Sequence, residues 1–250
     1  MGKPAILYDN RLADATPVVS DTAAGDFDVL NLIDWRAFSF WKPATMPATV
    51  TVDSGATAAA DYCLIYGHDL GTQGATVEVR GSTDNFVASN VLIDSATPTD
   101  DKPLLLIFTS SYRYWRLRFT GANAPSIAIA AIGSMLRLPK YLPVSFDPLG
   151  RKPVGQVNNS ADGHALGSIV NYEQWAADIQ QRSVDWAWVR DTFEPAWKAH
   201  LLGRPFGFAW NPETCPTETY LVSRHGGFEA PHKNGQYADF KLPVIGRYPS

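Results

Sequence analysis

Apolar and polar residues alternate along the first 140 residues with the period of two that marks a half-buried strand. Ala48–Val52 predicts a strand ending at the Asp-Ser-Gly turn, and Tyr62–Tyr66 a second one running into Gly-His-Asp-Leu-Gly-Thr-Gln-Gly. Val77 and Val79 alternate with Thr76, Glu78 and Arg80. Leu104–Phe108 is apolar throughout, and between Tyr114 and Phe119 the residues Trp115, Leu117 and Phe119 alternate with Arg116 and Arg118. Antiparallel strands with one wet face produce this pattern. Ser126–Leu138 is apolar without alternation and predicts a closing strand covered on both sides. Turn clusters separate these runs at the spacing of a sandwich or barrel.

Beyond residue 150 the pattern stays extended over Ala165–Tyr172 and Ile179–Trp188. A single helix follows: Thr192 is placed as its N-cap, Pro195 falls in the first turn, Phe193, Trp197 and Leu201 recur at i, i+4 and i+8, and Gly203 would supply a left-handed C-cap. Strands are predicted over Phe206–Trp210, Tyr220–Arg224 and Tyr237–Leu242. Between the halves Pro139, Pro143, Pro148 and Pro153 recur, each pushing its predecessor toward extended backbone. The expected organisation is therefore a β domain over 1–139, a Pro-rich linker over 140–153, and a β domain with one helix over 154–250.

Composition agrees with a chain dominated by strands and turns. Of 250 residues 19 are Gly and 18 Pro, and only 18% are charged. A formal net charge of −4 offers no basic field for phosphate-backbone binding, which argues against nucleic acid as a partner. The acidity sits in the first 139 residues, with 14 acidic against 10 basic side chains. The mostly apolar run Ile127–Leu138 is interrupted by Gly133, Ser134 and Arg137, so no membrane-inserting helix is expected. The N-terminus lacks the apolar region of a cleaved leader. Two cysteines far apart, Cys63 and Cys215, build no disulfide framework and read as small buried hydrophobes.

No Gly-x-Ser-x-Gly elbow, His-Glu-x-x-His or phosphate loop is present, and His68, His164, His200, His225 and His232 are scattered. No enzyme is expected. Asp26, Asp28, Asn31 and Asp34 fall in one turn-forming stretch. Clustered oxygens of this kind can hold calcium together with backbone carbonyls, and they can equally cap turns. Sugar recognition needs an aromatic platform beside directional polar groups. Candidates are Trp35, Phe38, Trp41 and His68, with Arg36 and Asp69 as polar partners; Trp115, which alternates with arginines, also reads as core. Trp175, Trp186, Trp188, Trp197 and Trp210 give the second half an aromatic density that points to a subunit interface, the alternative being an internal aromatic core.

The segments Asn-Leu-Ile-Asp-Trp-Arg-Ala-Phe-Ser-Phe-Trp-Lys-Pro, Thr-Val-Thr-Val-Asp-Ser-Gly, the stretch from Ala60 to Phe86, Ser110–Gly121 and Ala128–Leu138 resemble, in order, the discoidin-like (F5/8 type C, galactose-binding-like) jelly roll. The likeness covers most of residues 1–139. It implies a β-sandwich, a structural calcium in the loop of Asp26, Asp28, Asn31 and Asp34, no other cofactor, and glycan contacts at the loops of Trp35, Arg36, Phe38, His68 and Asp69. More loosely, Gly203, Arg204, Pro205, Phe206 and Phe208 are similar to the strand that follows the helix in tail-tube-related domains of long-tailed phage tail and baseplate proteins. That likeness implies a tail-tube-like β-sandwich and a virion component of the distal-tail kind. Such a protein would assemble in the host cytoplasm as a ring through its C-terminal domain, contact other tail proteins, and present the jelly roll to a host surface glycan. The alternative is a monomeric carbohydrate-binding module that accompanies a glycan-processing enzyme.

Overall fold

A computed structural model describes residues 2–247. The chain is mainly β, with antiparallel sheets, and divides into two units: Met1–Leu138 with Phe206–Thr219, and Pro139–Pro205 with Tyr220–Ser250. In the first unit the strands are β1 (Ala5–Leu7), β2 (Val18–Val19), β3 (Ala48–His68), β4 (Thr76–Ser82), β5 (Val91–Ala96), β6 (Leu104–Thr120), β7 (Ile127–Gly133) and β8 (Leu136–Arg137). A six-stranded sheet runs β2-β3-β6-β4-β5, and β7 pairs with the other edge of β3.

Four of the short strands read from the sequence are halves of two long ones. Ala48–Val52 and Tyr62–Tyr66 both lie in β3, and Leu104–Phe108 and Tyr114–Phe119 both lie in β6. The pairing of β3 with β6 slips between Asp53 and Ala58 and again between Ala60 and Tyr62. Irregularities of this kind bend a strand and raise its twist without ending it. The alternation sends Val50, Val52, Val77, Val79, Trp115, Leu117 and Phe119 to one side, where they pack with Trp41 and Ile127 in the core. The Trp41 ring lies 5.8 Å from that of Phe119. β7 is buried at all seven positions, as its unbroken apolar run predicts.

The strand β11 (Phe206–Ala209) also packs in the first unit, where it flanks β1 opposite β8: Ile6 pairs with Phe208 on one side and with Leu136 on the other. The segment Phe206–Thr219 was expected in the second domain. Strand pairing with residues two hundred positions away decides its place, and no local signal records that.

The second unit holds β9 (Lys152–Asn159), β10 (Ala165–Asp185), β12 (Thr219–Arg224), β13 (His232–Asn234) and β14 (Tyr237–Arg247) in the order β12-β14-β10-β9, with β13 beside β14. β10 is 21 residues long and bulges between Gln181 and Val184, where Ser183 takes a φ of +52°. It then stops at Asp185, whose carboxylate accepts the Ala187 amide at 2.8 Å. A helical segment with π turns follows over residues 186–201. The helix thus begins before the expected Thr192, and Trp186 and Trp188 belong to it and not to a strand. At its other end Leu202 keeps a right-handed φ of −62°, and the Gly203 and Arg204 amides both reach the His200 carbonyl, so Gly203 is no left-handed cap.

The Pro-rich stretch expected as a linker is tied to this unit. The Lys140 amide donates to Gln181 Oε1 at 3.3 Å, and the Gln181 side-chain amide returns a hydrogen bond to the Lys140 carbonyl. The Pro148 carbonyl accepts from Trp175 Nε1 at 3.1 Å and from the Tyr220 hydroxyl at 2.5 Å. Of the cysteines, Cys63 is buried, which pushes its thiol pKa up, and Cys215 is partly buried.

Candidate ligand groove on the first unit

The glycan candidates from the sequence reach the surface only in part. Trp41 is fully buried, donates Nε1 to Thr22 Oγ1 at 3.3 Å and exchanges backbone hydrogen bonds with Ile127. His68 also pairs with Ile127, so the loop of Trp35–Trp41 and the turn at His68–Asp69 do converge on the start of β7. They converge as packing. Trp35 is 2% exposed and His68 6%. The Asp69 carboxylate accepts from the Ser126 amide at 2.6 Å and from Gln73 Nε2 at 3.1 Å. Arg36 and Phe38 are exposed, the guanidinium 6.0 Å from the ring, which leaves one aromatic side chain where a platform was expected.

The acidic loop uses its side chains for turns. Asp28 Oδ1 accepts the Leu30 amide at 2.8 Å, while Asp34 takes the Arg36 amide and the Ser39 hydroxyl, each at 2.8 Å. Asn31 Nδ2 donates to the carbonyls of Asp26 and Phe40. Among the described residues no three His, Cys, Asp or Glu side chains are grouped to hold a metal ion.

The five tryptophans proposed for an interface serve the chain's own packing. Trp175 is buried and stacks on Tyr220 at 4.3 Å. Trp197 packs on Phe228 at 5.1 Å, Trp188 on Phe240 at 5.8 Å, and Trp186 edge-on to His232 at 5.7 Å. Trp210 lies in the first unit and donates Nε1 to Glu218 at 2.7 Å. The rings of Trp175, Trp186, Trp188 and Trp197 meet neighbouring rings that β10, β14 and the helical segment bring together.

A groove lies instead on the polar face of the six-stranded sheet. It has a volume of about 410 Å³ and is lined by Thr16, Val18, Ser20, Thr49, Thr51, Asp53, Asn85, Tyr114 and Arg116 among others. The alternation that buries Val50, Val52 and Trp115 turns Thr49, Thr51, Asp53, Tyr114 and Arg116 outward. Register then sets Thr51 opposite Arg116 and Asp53 opposite Tyr114. β2, whose Val18 pairs with Thr51, adds a wall.

The loop after β4 supplies the remaining side. Asp84 gathers the amides of Val87, Ala88 and Ser89 at 2.9–3.2 Å and the Ser82 hydroxyl at 2.9 Å; Ser82 Oγ in turn accepts the Phe86 amide at 2.9 Å. Desolvation raises the Asp84 pKa, and these hydrogen bonds outweigh it and hold the carboxyl below its ordinary value. This network keeps Asn85 and Phe86 at φ of +57° and +64°. Asn tolerates that region, whereas for a bulky residue it is strained. The strain brings the Phe86 ring within 3.7 Å of the Arg116 guanidinium.

Three neighbouring arginines have carboxylate partners. Arg113 grips Asp53 with two bonds of 2.8 Å, and its hydrogen bond is the largest cause that lowers the Asp53 pKa to about 2. Arg80 and Arg118 share Glu78 at 2.8 and 3.1 Å. Arg116 donates Nε to Thr51 Oγ1 at 2.8 Å and forms no ion pair among the described residues. The arrangement offers hydroxyls, an amide, a carboxylate, a guanidinium and an aromatic ring on a rigid sheet, and no nucleophile with an adjacent base. Sequence reading placed Arg116 and Arg118 on a wet strand face; what it missed is the turn that sets Phe86 over Arg116.

No family model matches the chain, and no curated protein does. Among solved structures it is similar to chitosan-binding module 1 from the chitosanase/glucanase of Paenibacillus sp. IK-5, with 14% identity over 50% of this chain and 98% of that one and a TM-score of 0.43. It is similar to CpGH89CBM32-5 from Clostridium perfringens, seen with GalNAc-β-1,3-galactose, at 13% identity over 51% and 99%, TM-score 0.42. A third is the CBM32 of AlyQ, seen with 4,5-unsaturated mannuronic acid, at 19% identity over 50% and 96%, TM-score 0.40. These neighbours are carbohydrate-binding modules matched over about half of the chain.

Proposed function

We propose that this protein is a non-catalytic glycan-binding protein that holds a saccharide in the groove between β2, β3, β6 and the loop of Asn85 and Phe86. The supporting observation is the lining itself: Thr16, Ser20, Thr49, Thr51, Asn85 and Asp53 offer donors and acceptors for sugar hydroxyls beside the Tyr114 ring. A sugar has an apolar face and a polar rim, and this combination meets both. Titration of the intact chain against neutral and acidic oligosaccharides tests the reading. Binding should weaken about tenfold in Tyr114→Ala, the loss of one aromatic contact. Absence of binding across the panel overturns it.

A second reading, self-assembly through the second unit as in a tail-tip ring with other tail proteins, draws support from one observation. β9 and the first half of β10 form a two-stranded ribbon on which Val157, Leu166, Ile169 and Val170 are exposed and both outer edges lack strand partners among the described residues. Light scattering over a hundredfold range of concentration decides it: a mass that stays at the monomer value removes this reading.

A further inference from the structure

We infer that the groove takes an acidic saccharide, the carboxylate of a uronic-acid residue being received by Arg116. This rests on the glycan-binding reading above and names the ligand class for the same groove.

One charge on this face has a placement that stability alone does not favour. Arg116 is half-buried and lies directly across the ladder from Arg80. Like charges opposite one another on neighbouring strands destabilise a sheet. Around Arg116 the other arginines are held by carboxylates, Arg80 and Arg118 sharing Glu78, and Asp53, which lines the groove, is already gripped on both oxygens by Arg113. The set of Arg80, Arg113, Arg116 and Arg118 with Asp53 and Glu78 is therefore net positive, on a chain whose net charge is −4.

Arg116 is also held in place before any ligand arrives. Its Nε is fixed by Thr51 and its plane is covered by Phe86, which a strained turn holds there. A guanidinium so fixed keeps its two terminal nitrogens for a planar, bidentate acceptor, the geometry of a carboxylate. Backbone strain kept at such a place is what preorganised binding needs. The hydroxyls of Thr49, Thr51 and Ser20 and the amide of Asn85 then suit the remaining rim of a sugar ring, and a groove of about 410 Å³ has the size of a small-ligand site.

The test is calorimetric titration of the intact chain with α-1,4-linked tetragalacturonate, with its methyl ester, and with a sulfated galactan tetrasaccharide. The free acid should bind at least tenfold tighter than the ester, and raising salt from about 0.05 to 0.5 M should weaken the acid and leave the ester unchanged. Arg116→Gln should bring the acid to the affinity of the ester, and Arg116→Lys, which keeps charge and loses the fork, should recover only part. The comparison of acid with ester on the unaltered chain needs no variant to fold. Equal affinity for acid and ester overturns the acidic ligand and leaves glycan binding intact. Preference for the sulfated sugar overturns the carboxylate. No binding by any of the three, together with a blank neutral panel, overturns the glycan reading itself.

Discussion

Trp41 and Trp115 are both fully buried in one core, yet their indole nitrogens differ: Trp41 Nε1 donates to Thr22, whereas Trp115 Nε1 is buried without a partner. A buried donor left unpaired carries its desolvation penalty, so removing it relieves part of what the smaller ring loses. Trp115→Phe should therefore destabilise less than Trp41→Phe, by about 1 kcal/mol, as read from denaturant midpoints at constant slope. His68 presents the titrating counterpart. Burial holds its imidazole pKa below the ordinary range, with the Asp101 carboxylate opposing. The unfolded chain then binds a proton near pH 6.5 that the folded chain refuses until a lower pH. Stability is full above that value and falls as the pH drops below it, down to the folded pKa. His200 is shifted the same way, again chiefly by burial. Melting temperature measured at pH 7.5 and 5.5 should fall with acidification, and His68→Gln should flatten that slope to the share of His200; an unchanged slope would show that His68 does not titrate with folding.

Among the elements, the loop between β4 and β5 decides the groove. Its conformation depends on one carboxylate that gathers three consecutive amides, so Asp84→Ala removes the acceptor and leaves the strained Phe86 without support. The expected result is a loss of about 1–3 kcal/mol in stability and rapid amide exchange over residues 84–89, with the strands of the sheet still protected. The same substitution should weaken saccharide binding as strongly as Tyr114→Ala although Asp84 does not line the groove. Retained exchange protection at Val87 and Ala88 would show that the turn stands without its anchor.

For the whole molecule, the assignment of Phe206–Thr219 to the first unit has a consequence for any division of the chain. A fragment ending at Pro139 lacks β11, so Ala5–Leu7 loses one of its two strand partners together with the buried rings of Phe206 and Phe208. Truncating a buried Phe alone removes about 3–5 kcal/mol. The fragment should melt well below the first unit of the intact chain or fail to fold, and a peptide of residues 204–219 added to it should raise the transition. A fragment as stable as the intact chain would show that β11 contributes nothing there.

Strand identity was legible in the sequence wherever one face is wet and the other dry, because the period of two follows from backbone geometry alone. Val77 to Arg80 and Tyr114 to Phe119 could be assigned to faces residue by residue, and the burial of β7 followed from its unbroken apolar run. The bends that join Ala48–Val52 to Tyr62–Tyr66 were not legible, since a bulge depends on what the partner strand does opposite it. The start of the helix was hidden for a similar reason: Asp185 caps it where the bulged end of β10 delivers it, and Thr192 offered an equally good local signal. At the groove the residue types were visible and their meeting was not. Alternation placed Arg116 and Arg118 on one wet face, but which arginine keeps a carboxylate partner is settled by cross-strand register and by a turn 30 residues away. Local periodicity is a property of the chain, whereas charge pairing is a property of neighbours that only the folded chain brings together.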